Sequence, residues 1–294
     1  MSRAIFAFAP SRLELYNCRS LHSLVVFTFS IMKTRSTALP FRFLLSFVLA
    51  AGLLGAGAAG GEEVAVDQVR MGDEFDRKLQ AQEALQCYLP VEKAEPKNVH
   101  VLLGIARQYR HLMQDCSIAE EKIRLANLGK VYAMRAVAVA PEEAEAHLSV
   151  AISYAKMVPL LGNKEKMEAS RRIKAAVDKS IALNPNQDLA WHVLGTWHQR
   201  LADLGTVKRA MARLVYGELP EATNEDSVRC FRKAIELNPD RLIHHIELGR
   251  TYAQMGRAAE ARRCINQGLG MTNTGKDDPE VKQRGRETLA ALKE

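Results

Sequence analysis

Four prolines punctuate the chain, and the residues that follow each of them repeat in phase. They are Pro96, Pro141, Pro185 and Pro239. Six, nine, ten and thirteen residues after each proline, the sequence has a large, an aliphatic, a small and again a large side chain. Offsets of three and four place such side chains on one face of a helix. A pattern that returns four times in phase predicts a stack of similar helical units.

Each unit also has a second helix, which ends at the next proline. Before Pro239 this helix carries a small, a large and a small residue at Ser227, Phe231 and Ala234. Two helices with these positions follow the tetratricopeptide pattern, W-x2-L-G-x2-Y followed by A-x3-F and P. The predicted core signature of the repeats comprises eight residues: Trp191, Leu194, Gly195, Leu248, Gly249, Tyr252, Phe231 and Ala234.

The predicted fold class is all-α, a tetratricopeptide-like α-solenoid of antiparallel helix pairs with enlarged inter-helix loops. The prolines lie further apart than the 34 residues of a standard repeat. The extra residues fall at 157–167 and 203–226, between the two helices of a unit. The predicted domains after the leader are a linker at 62–72, the repeat domain at 73–275 and a C-terminal capping helix at 276–294.

The amino-terminal part is a basic Ser/Arg-rich leader at 1–42, with Met32 as an alternative start, and an apolar segment at 43–61. The apolar segment has nineteen residues without a charge, basic residues before it and acids after it. This arrangement fits a cleaved secretory signal, and its length also borders on that of a membrane anchor. The Arg and Ser content upstream resembles an organelle transit peptide, so three interpretations stay open.

Charge and motifs argue against chemistry or nucleic-acid binding. The net charge is +7, but residues 1–60 carry six Lys or Arg against one acid, so the repeats are nearly neutral. Gly55–Gly60 matches G-x-G-x-x-G without the preceding strand that a dinucleotide site needs. HExxH, G-x-S-x-G and Walker sequences are missing, and the five cysteines lack zinc-ligand spacing. We therefore predict no enzyme activity, cofactor, metal or small-molecule substrate, with the disulfide state open.

The predicted binding surface is the concave side of the first helices. It is lined by residues seven, eleven, fourteen and fifteen places after each proline. This surface is mildly basic and partly apolar, which suits an acidic or amphipathic peptide; the alternative is an ordinary solvated surface. The candidate partner-binding residues are Arg107, Arg110, His111, Lys156, His192, Gln199, Arg200 and Arg250.

A second candidate surface is the basic insert at 206–217. Lys208, Arg209 and Arg213 alternate there with apolar residues. The alternation predicts a short amphipathic helix that contacts an acidic partner or lipid headgroups. The alternative is a helix that packs on the repeats.

With the repeats placed, residues 141–270 resemble the regulator of microtubule dynamics family, and plant-type members in particular. The resemblance rests on KSIALNPNQDLAWHVLGTWHQRLADL at 179–204, the basic insert and NEDSVRCFRKAIELNPD at 224–240, in that order. It implies an all-helical fold, no enzyme activity and no catalytic residues. It also implies association with microtubules, including those of the spindle, and with organelle membranes.

The resemblance thus implies a protein partner, tubulin or microtubules, and membrane association through 43–61 or 206–217. The matching location is an organelle membrane such as that of the mitochondrion, with the repeats facing the cytoplasm. The charges around the apolar segment instead favour repeats on the other side of the membrane. Positively charged flanks stay in the cytoplasm, and here they precede the segment whereas the repeats follow it. The alternative is therefore a secreted or organelle-lumenal scaffold for an unrelated partner, in the secretory pathway or a plastid lumen.

Overall fold

A computed structural model describes residues 56–205 and 220–292, with side chains from residue 64 onward. This described part is all-helical and contains eleven α-helices and a 3₁₀ turn at Val158–Leu160. The helices are α1 (Ala56–Arg77), α2 (Ala81–Ala94), α3 (Val99–Asp115), α4 (Ala119–Val139), α5 (Ala144–Met157), α6 (Asn163–Leu183), α7 (Asp188–Ala202), α8 (Asn224–Leu237), α9 (Leu242–Gln254), α10 (Ala258–Gly270) and α11 (Asp278–Ala291).

Consecutive helices form five pairs within the described residues: α1 with α2, α3 with α4, α5 with α6, α7 with α8 and α9 with α10. The first helix of each pair also contacts the first helix of the next pair. Helix α11 packs on α9 and α10 and so covers the end of the stack. The predicted all-α, tetratricopeptide-like arrangement of helix pairs is confirmed.

The first pair begins earlier than the sequence pattern suggested. Residues 62–72, expected as a linker, lie within α1. The helix forms there because Val69 and Phe75 pack on the core around the buried ring of Tyr88. The Tyr88 hydroxyl donates a hydrogen bond to Asp73 at 2.6 Å. Because no proline stands directly before this helix, the sequence pattern gave no sign of where it starts.

Longer second helices account for much of the wide proline spacing. Helices α4 and α6 each have 21 residues, whereas α10 has 13. The expected loop at 157–167 consists of the 3₁₀ turn and the first residues of α6. The other expected loop, 203–226, lies largely outside the described residues, and α8 begins within it at Asn224.

The predicted core signature lies at the contacts between paired helices, where all its members are buried except the half-buried Trp191. A Cβ on Gly195 would lie 3.0 Å from the ring of Phe231. A Cβ on Gly249 would lie 2.6 Å from the side chain of Ile265 and 2.9 Å from the carbonyl oxygen of Ala261. The small residue of each pattern therefore permits a close approach of the second helix.

The ring six residues after three of the prolines has a second role that the sequence pattern did not reveal. In each case a ring nitrogen hydrogen-bonds to the carbonyl oxygen of its own proline. The bonds join Trp191 Nε1 to Pro185 at 2.8 Å, His147 Nε2 to Pro141 at 2.7 Å and His245 Nε2 to Pro239 at 2.8 Å. Because a carbonyl only accepts, both imidazoles carry their proton on Nε2. In the sequence, the sign of this bond was a side chain with a ring N–H six residues after each of the three prolines.

Candidate functional site

Five predicted partner-binding residues share one surface, which we call the first-helix face. It bears Arg107 and His111 on α3, Lys156 on α5, Arg200 on α7 and Arg250 on α9. Arg200 is exposed and the other four are half-buried. The four helices that carry the face form one continuous row, because each but the last contacts the first helix of the next pair.

Arg110, another predicted partner-binding residue, is buried between α3 and α5 instead of lying on this face. Its guanidinium donates to the hydroxyls of Ser149 and Ser153 on α5, at 3.0 and 3.1 Å. Burial lowers the pKa of Arg110 to about 10, so the side chain stays charged at neutral pH. Arg110 therefore connects two helix pairs and does not offer a free cation.

Gln199 occupies the same offset from its proline and makes the equivalent connection between α7 and α9. Its buried amide donates to the carbonyl oxygen of Glu247 at 3.1 Å and to Thr251 Oγ1 at 2.9 Å. The fourteenth residue after a proline thus faces the next first helix, which approaches more closely than the sequence pattern indicated. Arg110 and Gln199 are scaffold contacts in this structure.

His192 is also engaged inside the stack. Its Nδ1 lies 3.0 Å from Nδ1 of His244, whose Nε2 lies 2.9 Å from a carboxylate oxygen of Asp188. The carboxylate only accepts, so His244 carries its proton on Nε2 and accepts at Nδ1 from His192. Burial lowers the pKa of both imidazoles, and His192 is shifted furthest. The pair is a neutral polar contact within the core.

The last part of the chain lies against the first-helix face. We call residues 271–291, which comprise α11 and the loop before it, the closing segment. Lys276 forms an ion pair with Asp115 at 2.7 Å, and Asp277 forms one with Lys156. These partners stand at the ends of α3 and α5, far back in the sequence. The closing segment therefore reaches the second and third helix pairs.

The carboxylate of Asp277 lies in a cationic setting. Burial by itself would raise the pKa of Asp277, but Lys156 and a hydrogen bond from Gln114 hold it below its ordinary value. Burial also lowers the pKa of the nearby His111 to about 4. At neutral pH the site therefore holds an ionised carboxylate, a lysine cation and a neutral imidazole.

A second charge cluster surrounds Glu247 further along the face. This carboxylate is 3% exposed and pairs with Arg250 at 2.6 Å and with Arg284 of α11 at 3.1 Å. Arg284 also pairs with Glu280 at 2.5 Å. The exposed Arg200 lies close enough to interact electrostatically with Glu247 and Glu280. Both clusters therefore join the first-helix face to the closing segment.

The amino-terminal end of the face is held by α1. Arg107 pairs with Asp76 of α1 at 2.9 Å while its side chain stays 41% exposed. The surface thus meets carboxylates of this chain at two places, from Asp76 at Arg107 and from Asp277 at Lys156.

Other predicted features fall outside this surface. The insert residues Lys208, Arg209 and Arg213 lie in 206–219, outside the described residues, as do the leader and most of the apolar segment. Among residues 56–205 and 220–292, no helix is both long and apolar enough to span a membrane. The same ranges hold no group of His, Cys, Asp and Glu suited to a metal. The four described cysteines are free: Cys87, Cys116, Cys230 and Cys264.

Stacked helix pairs joined through small-residue contacts define this chain as a tetratricopeptide-like repeat protein. Solved structures support the fold. A thermophilic TPR protein from Thermus thermophilus matches with a TM-score of 0.55 and 15% identity, over 77% of this chain and 99% of that one. PilF of Pseudomonas aeruginosa matches with a TM-score of 0.50 and 12% identity, over 79% and 90% of the two chains.

The chain belongs to the regulator of microtubule dynamics family, because the model of regulator of microtubule dynamics protein 1-3 matches residues 65–293. Protein 3 of Bos taurus is 26% identical over 226 residues, covering 76% of this chain and 48% of that protein. Protein 2 of Rattus norvegicus is 23% identical over 198 residues, covering 67% and 48%. The predicted resemblance to this family is confirmed, and the chain spans about half the length of these curated relatives.

Proposed function

We propose that this protein is a non-enzymatic scaffold that associates with microtubules and binds protein partners through the first-helix face. The observation that carries the proposal is the row of basic side chains on successive first helices, Arg107, Lys156, Arg200 and Arg250. Family membership supports microtubules as the target, since the relatives are named for regulating their dynamics.

The chemistry of the face supports an acidic ligand. Arg107 and Lys156 already pair with carboxylates from other parts of the chain. A partner that presents a row of carboxylates meets the same cations along the face. Attraction between half-exposed charges is screened by salt, so binding should weaken as ionic strength rises.

We further propose that the apolar segment 43–61 or the insert 206–217 attaches the scaffold to an organelle membrane, the mitochondrial surface being one example. The support is the sequence: one segment is uncharged and the other is a basic amphipathic stretch. Together with the repeats, such an attachment would join a membrane to a microtubule.

Co-sedimentation of the full chain with polymerised microtubules tests the microtubule part. We expect Arg200→Glu to weaken binding by about fivefold or more at low salt, because it reverses an exposed charge on the face. Arg172→Glu is the matched control, since Arg172 has a 63% exposed side chain on α6 and makes only a local pair with Glu168. Absence of wild-type co-sedimentation at low salt would rule out direct microtubule binding.

The second candidate is a secreted or lumenal scaffold, favoured by the basic residues before 43–61 and the acids after it. Protease treatment of cells that express the full chain with a carboxyl-terminal tag distinguishes the microtubule-associated scaffold from the secreted or lumenal one. Digestion of the tag in cells whose plasma membrane alone is permeabilised places the repeats in the cytoplasm. Protection until the organelle membranes are dissolved places them in a lumen and removes tubulin as a partner.

A further inference from the structure

One carboxylate of the closing segment, Asp277, lies against a cluster of basic and polar side chains on the first-helix face, with its side chain 40% exposed; we call this cluster the pocket. Lys156 of α5 pairs with it, and Gln114 and His111 of α3 lie beside it. The buried Arg110 also acts on Asp277 electrostatically. Two first helices thus supply a paired lysine cation, a second cation nearby, a hydrogen-bond donor and an imidazole to a single acid, which is the chemistry of a carboxylate-binding site.

The rest of the loop is held only weakly on this site. The ion pair of Lys276, which also belongs to the loop, involves an Asp115 side chain that is 56% exposed. Solvated contacts of this kind contribute little to stability. Release of the loop from Lys156 therefore needs the loss of few strong interactions.

Helix α11, in contrast, is anchored independently of the pocket. Val281 is 4% exposed and packs with Leu242 and Ile246 of α9. A Cβ on Gly285 would lie 3.1 Å from both Ile246 and Ile265, which shows how closely α11 approaches the last pair. The carboxylate of Asp277 can therefore leave the pocket while its backbone carbonyl, which accepts from Val281 N–H at 3.0 Å, stays on α11.

We propose that Asp277 is an internal substitute for a ligand, and that Lys156, Gln114 and His111 form a binding site for a carboxylate of an acidic partner peptide. The closing segment covers this site until such a peptide displaces it. We infer an acidic ligand from charge complementarity, since an aspartate of the chain itself lies in the pocket. The proposal rests on the protein-binding function proposed above and adds a regulated site to it.

The test is the affinity of the full chain for a fluorescein-labelled, glutamate-rich peptide of about twelve residues. Asp277→Asn removes the competing charge with little change of shape, so we expect about tenfold tighter peptide binding, as for a site that is closed about nine-tenths of the time. Asp240→Asn, an equal charge change at an exposed position, should leave the affinity unchanged. Equal affinities of wild type and Asp277→Asn would overturn the proposal.

Lys156→Gln tests the other side of the ion pair, because it removes the cation of the proposed site. Circular dichroism checks that this variant is folded. We expect it to lose peptide binding even when combined with Asp277→Asn; retained binding would place the peptide elsewhere and overturn the proposal.

The two proposals fail separately. Peptide binding that responds to Asp277→Asn, without any microtubule co-sedimentation, would refute the microtubule function and leave the carboxylate site in place. If the wild-type chain co-sediments with microtubules but neither Asp277→Asn nor Lys156→Gln changes its affinity for the peptide, the carboxylate site alone would be refuted.

Discussion

His147 and His245 each direct an Nε2–H at the carbonyl of the proline that precedes their helix. His192 and His244 share a hydrogen bond inside the stack, with Asp188 behind it. At the residue scale, these four imidazoles therefore act as hydrogen-bonding groups of the scaffold. This explains their repeated offset without a metal or a catalytic role.

Acid should destabilise the fold because several imidazoles are kept neutral. Burial depresses the pKa of His111 to about 4 and lowers those of His192 and His244. An unfolded histidine binds a proton below about pH 6.5, where the folded residue does not. Stability is then present above about pH 6.5 and is lost as the pH falls toward the folded pKa, by up to about 1.4 kcal/mol per pH unit for each group.

Urea unfolding of the full chain at several pH values between about 7.5 and 5 measures this slope. His111→Gln should make it shallower, because it removes one of the groups that bind protons only after unfolding. An unfolding free energy that stays constant across this range would contradict the assigned neutral states. Asp277 stays ionised throughout, since its pKa is held below its ordinary value.

At the scale of elements, glycine sets the distance between α9 and α10. Gly249→Ala would bring a methyl group to 2.6 Å from Ile265 and 2.9 Å from a backbone oxygen. We expect a loss of about 1–3 kcal/mol in unfolding free energy, because overpacking forces the two helices apart. Gly270→Ala is the control, since no atom lies within 4 Å of its added Cβ. Equal unfolding midpoints for the two variants would show that this contact is loose.

The helix pairs could be predicted because each position that packs within a pair repeats in the sequence. Gly195 and Phe231 meet as the offsets indicate, since both belong to one unit. Arg110 and Gln199 show the limit of such offsets. Their burial depends on how closely the next first helix approaches, and that distance is a property of two units together. The start of α1 was missed because no proline stands directly before that helix.

At the scale of the whole molecule, the covered state of the first-helix face could not be predicted. The sequence indicated a basic surface and, separately, a polar terminal helix with acids at its start. The pairing of Lys156 with Asp277 joins residues 121 positions apart, and repeat patterns carry no information on such contacts. The structure therefore places an acidic residue of the chain itself on a surface that the sequence suggested was open.

The long reach of this contact has a consequence for the order of folding. Most helix contacts join neighbours in sequence, and such local topologies form quickly. Closing the loop between Lys156 and Asp277 costs more chain entropy, so we expect it to follow the docking of the helix pairs. Synthesis from the amino terminus imposes the same order, because the closing segment leaves the ribosome after the five helix pairs. Each new molecule thus passes through a period on the ribosome in which its basic face is already built and still uncovered.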